Sequence, residues 1–320
     1  MLTEGRPLRS VVQHLYGIRI RTPWPVRGVS ECDDGWDVEF VANQREALAR
    51  AASLVPAQQR TRWAQYAALP DGSAYRRWAN LFEFLVTPDA RRIYAQPLSN
   101  VDDEAMLAYL LVDALSFSMV RLGSEPLHAT AVSTDHGVVG FLGNSGDGKS
   151  TLAALLVRQG CKLVTDDMLV LVRDGGIWLA HPGPPRLKLF RDMADRILGP
   201  APGGIAMNPE TTKLIVPLDA GDCTAGPRTL QALYILSGKG EGASGPPSIR
   251  RLSPAAAFPR VLAHTAGHYP SEIARLRRQF EFATTLVQQI PVKTLSYRRE
   301  MAEMVRVTDA VLCDVGRVVE

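Results

Sequence analysis

Over the first hundred residues apolar and polar positions alternate in short runs. Tyr16-Gly-Ile-Arg-Ile-Arg-Thr22 and Trp36-Asp-Val-Glu-Phe-Val41 carry the two-residue period of half-buried strands. The first meets a turn at Pro23-Trp-Pro25, and Asp33-Asp34-Gly35 supplies turn chemistry ahead of the second. Residues 78–86 and 92–95 read as further strands joined by Thr87-Pro-Asp-Ala, and the Ala- and Arg-rich stretch 44–65 reads as helical. Together these predict a small β-rich N-terminal domain over residues 1–98.

The period then changes. Met106, Leu110, Leu111, Leu115 and Met119 share one broad face of a helix over 103–122, which Gly123 ends. Residues 127–132 predict a strand, Asp135-His136-Gly137 a tight turn, and 137–142 a buried apolar strand that runs straight into a glycine-rich loop. Residues 151–159 have helical composition. Further strands are expected at 162–164, 168–172, 177–180 and 230–236, with breaks at Asp174-Gly175-Gly176 and Pro182-Gly-Pro-Pro185. The stretch 237–247 is expected to be an exposed loop, and from Ser253 the chain reads as helices over 255–263, 271–290 and 300–312. The second domain, 99–320, is therefore α/β with a helical tail, and a hairpin rather than a simple βαβ unit feeds its loop.

Composition changes this picture little. The 320 residues are 46% hydrophobic and 22% charged with a net charge of +3, which fits a globular chain and gives no reason to expect a nucleic-acid partner. Cys32, Cys161, Cys223 and Cys313 are widely spaced with no C-x-x-C pair, so neither a disulfide framework nor a zinc site is expected. The longest apolar stretch, 105–120, carries Asp113 and is too short for a bilayer span, and the first seven residues lack the order of a signal peptide. The expectation is a cytoplasmic protein with no membrane partner.

The loop carries the chemistry. Gly143-Asn144-Ser145-Gly146-Asp147-Gly148-Lys149-Ser150 matches G-x-x-x-x-G-K-[ST] in full, with a strand before it and a helix after it. Glycines let successive N–H groups face an anion at the positive end of a helix. On this reading Gly143 to Thr151 bind the phosphates of ATP, Lys149 reaches the β- and γ-phosphates, and the Ser150 hydroxyl joins the Mg²⁺ shell.

Seventeen residues after Lys149 comes Asp166-Asp167, at the junction of two apolar strands. Phosphoryl transfer needs one carboxylate on the metal and another to take the acceptor proton. Adjacent residues on an extended chain point to opposite sides, so different roles are expected for the two. An ordinary acidic turn is the alternative. His128, at the start of the strand beside the loop strand, is a further candidate, against the commoner role of a structural histidine.

Leu127-His128-Ala-Thr-Ala-Val, the loop through Thr151, Gly160-Cys-Lys-Leu-Val164 and Asp166-Asp167 occur in that order, and together resemble the catalytic domain of HPr kinase/phosphorylase. The chain is also similar to divergent HPr-kinase-like proteins of ribosomal-peptide and lasso-peptide clusters. The similarity lies in Leu15-Tyr16-Gly17-Ile18, Pro182-Gly-Pro-Pro-Arg-Leu-Lys-Leu189 and Lys213-Leu-Ile-Val-Pro-Leu218. The resemblance implies a P-loop kinase domain with a mixed central sheet. Asp166 would be the base toward a serine hydroxyl, Asp167 would lie nearer the metal with Ser150, His128 would support the transferred group, and Lys213 would reach developing charge. Arg186 and Lys188 are weaker versions of the Lys213 role. The order of the two aspartates stays open, as does Lys213 as a plain surface lysine.

Bifunctional enzymes of that family carry an acidic residue where this loop continues Ser150-Thr151, and residues 184–198 replace their glycine-rich stretch. The expectation is an ATP- and Mg²⁺-dependent kinase without reversal by phosphate, acting on a peptide or small protein. A small-molecule kinase and a nucleotide-sensing ATPase remain alternatives, and a homo-oligomer is open.

Overall fold

The computed structural model describes residues 9–316 apart from 34, 57–63, 79–80, 201, 238–245, 267–271 and 299. The chain forms two compact units, Met1–Leu122 and Gly123–Glu320. The division falls after the helix of residues 103–121 rather than at 98–99, because that helix packs on a strand of the first unit. Most of the loop expected at 237–247 lies outside the described residues.

In the first unit β1 (Val11–Leu15) and β2 (Ile18–Thr22) form a hairpin. Its two turn residues, Tyr16 and Gly17, have φ of 57° and 80°, the left-handed pair that a twisted two-residue hairpin requires. The strand expected over 16–22 is thus the second arm plus its turn. After β3 (Val38–Val41) comes α1 (Arg45–Ser53), then β4 (Ala64–Ala68), β5 (Ala74–Trp78), β6 (Phe82–Val86) and β7 (Arg92–Pro97). The expected strand over 78–86 is two, since Trp78 ends β5 and β6 turns back against it. The seven strands lie in the order β1-β2-β3-β7-β6-β5-β4. The long helix is α2 (Asp103–Tyr109) and α3 (Leu115–Arg121) joined by a π-helical turn at Leu110–Ala114. Asp102 caps it by accepting from the Glu104 N–H.

The second unit is built on β8 (Ala129–Thr134), β9 (Gly137–Leu142), α4 (Lys149–Arg158), β10 (Lys162–Thr165), β11 (Val170–Asp174) and β12 (Ile177–His181). There follow β13 (Arg186–Phe190), α5 (Arg191–Leu198), β14 (Ile205–Ala206), β15 (Lys213–Pro217), β16 (Arg228–Leu236) and β17 (Ser248–Arg251). The unit ends with α6 (Pro254–Leu262), α7 (Ile273–Gln289), β18 (Val292–Ser296) and α8 (Met301–Gly316). The eight-stranded mixed sheet runs β10-β8-β9-β16-β12-β11, with β18 also on β16 and β17 on β18. β13, β15 and β14 form a separate antiparallel sheet.

Both faces of the central sheet are covered, which explains why β9 reads as an unbroken apolar run. Val139 and Phe141 join one core with α4, α8 and the small sheet, while Val138 and Leu142 join the other with α6 and α7. Between them Gly140 leaves room for Leu233, whose Cδ2 would stand 2.7 Å from a Cβ there. Leu152 and Leu156 anchor α4 and are fully buried, each worth about 2 kcal/mol of transfer free energy. α4 is thus fixed on the sheet, and with it the loop at its N-terminus.

Candidate active site

The chain leaves β9 at Leu142, turns through 143–148 and enters α4 at Lys149. Gly146 and Gly148 have φ of 84° and 95°, which only glycine adopts without strain. A Cβ at Gly148 would also come within 3.2 Å of the Tyr297 hydroxyl, from the segment just after β18. The loop closes on itself. Asp147 accepts the Asn144 N–H at 2.6 Å, and its own N–H donates to the Asn144 carbonyl at 3.1 Å. Asn144, Ser145 and Gly146 are exposed, whereas Asp147 and Lys149 are buried.

Lys149 holds three neighbours. Its ammonium donates to the Gly143 carbonyl at 2.7 Å, the Asn144 carbonyl at 3.1 Å and His128 Nε2 at 3.1 Å. An ammonium has no lone pair, so Nε2 accepts and the His128 proton sits on Nδ1, which donates to the Asp167 carbonyl at 3.1 Å. This makes His128 a neutral imidazole. Burial, with the Lys149 charge beside it, also lowers the His128 pKa. Burial lowers that of Lys149 as well, against the pull of Asp167, Asp166 and Asp147.

The two aspartates follow β10 and share Lys188 through different atoms. Asp166 Oδ1 accepts from the Ser150 hydroxyl at 2.9 Å and the Thr130 hydroxyl at 2.6 Å, and its Oδ2 accepts the Lys188 N–H at 2.8 Å. Asp167 Oδ2 lies 2.6 Å from the Lys188 ammonium. The separation expected for neighbours on an extended chain is present, but its cause differs: Asp167 has φ of 71°, a left-handed turn at the end of the strand. Asp and Asn tolerate that region best among residues with a Cβ.

Charge distinguishes the pair. Burial and then the charge of Asp167 raise the Asp166 pKa, more than its hydrogen bonds from Thr130 and the Lys188 N–H lower it. Burial would raise Asp167 too, but the Lys188 ammonium, helped by Lys213, holds it well below the usual carboxylate range.

Lys213 sits at the edge of this group. It pairs with Phe190 across the small sheet, and its ammonium lies 5.1 Å from the Phe190 ring centroid, with its charge still felt by Asp167 and Lys149. Thr151 is half-buried on α4 and makes no side-chain hydrogen bond to described residues.

Two residues join the site that sequence reasoning ranked low or missed. Lys188 touches both aspartates. His264 follows α6, and its carbonyl accepts the His128 N–H at 2.7 Å. The charges of Lys149 and Asp147 act on its ring. Leu127 bridges Leu169 on one side and Thr265 on the other, so the segment carrying His128 is held from both sides. A long-range backbone pairing of this kind leaves no local mark in sequence.

Among the described residues no group of three or more His, Cys, Asp and Glu side chains could hold a metal ion. A nucleotide-bound Mg²⁺ does not require one, since it takes one or two protein ligands plus phosphate oxygens. The Ser150 hydroxyl and Asp166 carboxylate, already 2.9 Å apart, fit that need. A buried Lys149 held chiefly by carbonyls fits an anion arriving beside it.

All four cysteines are free thiols, and no helix among the described residues is long and apolar enough to cross a membrane. No family model and no curated protein matches the chain. Among solved structures, the HPr(Ser) kinase/phosphatase from Coxiella burnetii is similar at 11% identity, covering 60% of this chain and 90% of its own, with a TM-score of 0.33.

Proposed function

We propose that the second unit is an ATP- and Mg²⁺-dependent kinase of the P-loop type that transfers the γ-phosphoryl group to a hydroxyl, most simply a serine of a peptide or small protein in the cytoplasm. The observation that carries the reading is the hydrogen bond from Ser150 to Asp166. It joins the loop's hydroxyl to a carboxylate from another strand, the pairing that holds Mg²⁺ in P-loop enzymes. The serine acceptor follows from the family resemblance of the sequence.

In this reading the loop N–H groups and Lys149 bind the phosphates, and Ser150 with Asp166 holds the metal. When bound, Mg²⁺ neutralises charge on the phosphate oxygens. Asp167 orients the acceptor hydroxyl. This exchanges the two aspartates relative to the roles that the resemblance implies. An Asp167 held strongly ionised suits an orienting role, because a loose phosphoryl transition state asks for little early proton removal. Neutral His128, fixed by Lys149 and the Asp167 carbonyl, positions both. Lys213 adds charge from the small sheet. Catalysis then rests on positioning and preset electrostatics.

The test is incubation of the chain with γ-labelled ATP, Mg²⁺ and serine peptides translated from neighbouring genes, with mass mapping of the product. Label on a serine supports the reading. Label on a metabolite pool would move the acceptor to small molecules, and steady phosphate release with no labelled product would favour a nucleotide-sensing ATPase.

A further inference from the structure

We infer that Lys188 is a positioning residue that sets both aspartates at once, an inference that rests on the kinase reading above. Its main-chain N–H donates to Asp166 Oδ2 at 2.8 Å, while its ammonium lies 2.6 Å from Asp167 Oδ2. One residue on a strand can do both because the N–H lies in the plane of the sheet and the side chain stands out of it. The two aspartates come from the end of β10 in the central sheet, and Lys188 comes from β13 in the small one.

The register of β13 explains why Lys188 is there. Leu187 and Leu189 are buried in the core beneath α4, so Arg186, Lys188 and Phe190 take the opposite face. Across the strand pair, Leu187 meets Val216, Lys188 meets Ile215 and Leu189 meets Leu214. A slip of one residue would turn the ammonium into the core and the leucines outward, so packing under α4 fixes the contact.

The contacts divide the work between the carboxylates. With Oδ2 of Asp166 held by the Lys188 N–H, Oδ1 is left facing Ser150 and Thr130. Asp167 is held in its left-handed turn with its carboxylate drawn to the ammonium, and its carbonyl stays on His128. Without that ammonium, two adjacent buried carboxylates would repel, and Asp167 would lose the partner that aims it. The main-chain contact survives any substitution except proline, so a side-chain change tests the Asp167 half alone.

The experiment compares the unaltered chain with Lys188→Gln, Lys188→Arg, Asp167→Asn and the Lys188→Gln/Asp167→Asn double variant. The probes are Mg·ATP and the serine peptide that the unaltered chain phosphorylates best. The expected result is a fall in kcat of about 10- to 100-fold for Lys188→Gln with KM for ATP within about threefold, substantial recovery in Lys188→Arg, and no further loss in the double variant beyond Asp167→Asn alone. A Lys188→Gln enzyme with kcat within twofold of the unaltered chain overturns the inference, as does a loss that adds in full to that of Asp167→Asn. Thermal melts, without nucleotide, of the unaltered chain, Lys188→Gln, Asp167→Asn and the double variant decide the matter even if no acceptor is phosphorylated. Non-additive shifts in the melting midpoint support the Lys188–Asp167 coupling, and additive shifts reject it. Absent transfer by the unaltered chain would count against the kinase reading, whereas additive melts would count against Lys188.

Discussion

The Ser150 hydroxyl donates to Asp166 Oδ1 at 2.9 Å, linking the first turn of α4 to the end of β10. The place of α4 on the sheet does not rest on this contact, since Leu152 and Leu156 already anchor the helix. Ser150→Ala and Asp166→Asn should each lower phosphoryl transfer by about 10²- to 10³-fold, the usual cost of removing a group that meets transition-state charge. Both should shift the Mg²⁺ concentration for half-maximal rate upward. Steady-state rates across a Mg²⁺ series check this, and an unchanged Mg²⁺ dependence in both variants would place the metal elsewhere.

Lys149 separates binding from stability. Its buried ammonium has a pKa pulled below that of a free lysine, so the unfolded chain binds that proton more readily than the folded one. Stability without nucleotide therefore rises with pH as the lysine approaches neutrality, and at neutral pH the charge is a cost to the fold. Lys149→Met should melt no more than about 3 °C below the unaltered chain, while ATP no longer raises its melting midpoint. A thermal melt with and without Mg·ATP measures both quantities. A midpoint that collapses in the absence of nucleotide would make Lys149 a structural residue.

What could be read in the sequence was whatever lay close together along it. The glycine-rich loop, its flanking strand and helix, and the Asp166-Asp167 pair occupy one continuous stretch of the chain. His128 stood one hairpin away and was legible by its place beside the loop strand. Lys188 was weak in sequence because its contact depends on the register of a second sheet, which is fixed by Leu187 and Leu189 meeting Val216 and Leu214. His264 was invisible because a backbone bond 136 positions from His128 brings it in. The helical reading of the tail also hid β18, five residues between α7 and α8, which pairs in parallel with β16 and puts Tyr297 against the loop. In the first unit the sequence pattern found β2, β3, β6 and β7 but not β1, β4 or most of β5, none of which alternates strictly, and the helix expected over 44–65 ends at Ser53, with β4 beginning at Ala64.

Asp147 places a carboxylate inside the glycine-rich loop, where it occupies the Asn144 N–H at 2.6 Å. On the kinase reading, an arriving nucleotide phosphate meets that negative charge. Asp147→Asn keeps an acceptor oxygen for Asn144 and removes the charge, so ATP affinity should rise by about fivefold, or roughly 1 kcal/mol. Asp147→Ala removes the acceptor as well and should loosen the loop, giving a smaller gain. Titration calorimetry with a non-hydrolysable ATP analogue distinguishes the two. Weaker binding in Asp147→Asn would mean that the carboxylate supports the site rather than opposing phosphate.

His264 links the site to pH. Burial, with the nearby Lys149 charge, lowers its pKa to about 4, against roughly 6.5 for the imidazole in an unfolded chain. The folded state therefore holds this ring neutral in a window where the unfolded state protonates it. The resulting stability is fully present above about pH 6.5 and is lost as pH falls toward 4. The ring is half-buried, so solvent screening leaves an effect of roughly 1 kcal/mol. His264→Gln removes the titrating group but leaves the carbonyl that accepts from His128. Between pH 7 and pH 4.5 its melting midpoint should fall less than that of the unaltered chain, so that the two curves converge or cross at the acid end. His128 is displaced in the same direction and keeps part of the slope in both proteins. Parallel melting curves over this range would show that the His264 ring is protonated as readily in the folded chain as in the unfolded one.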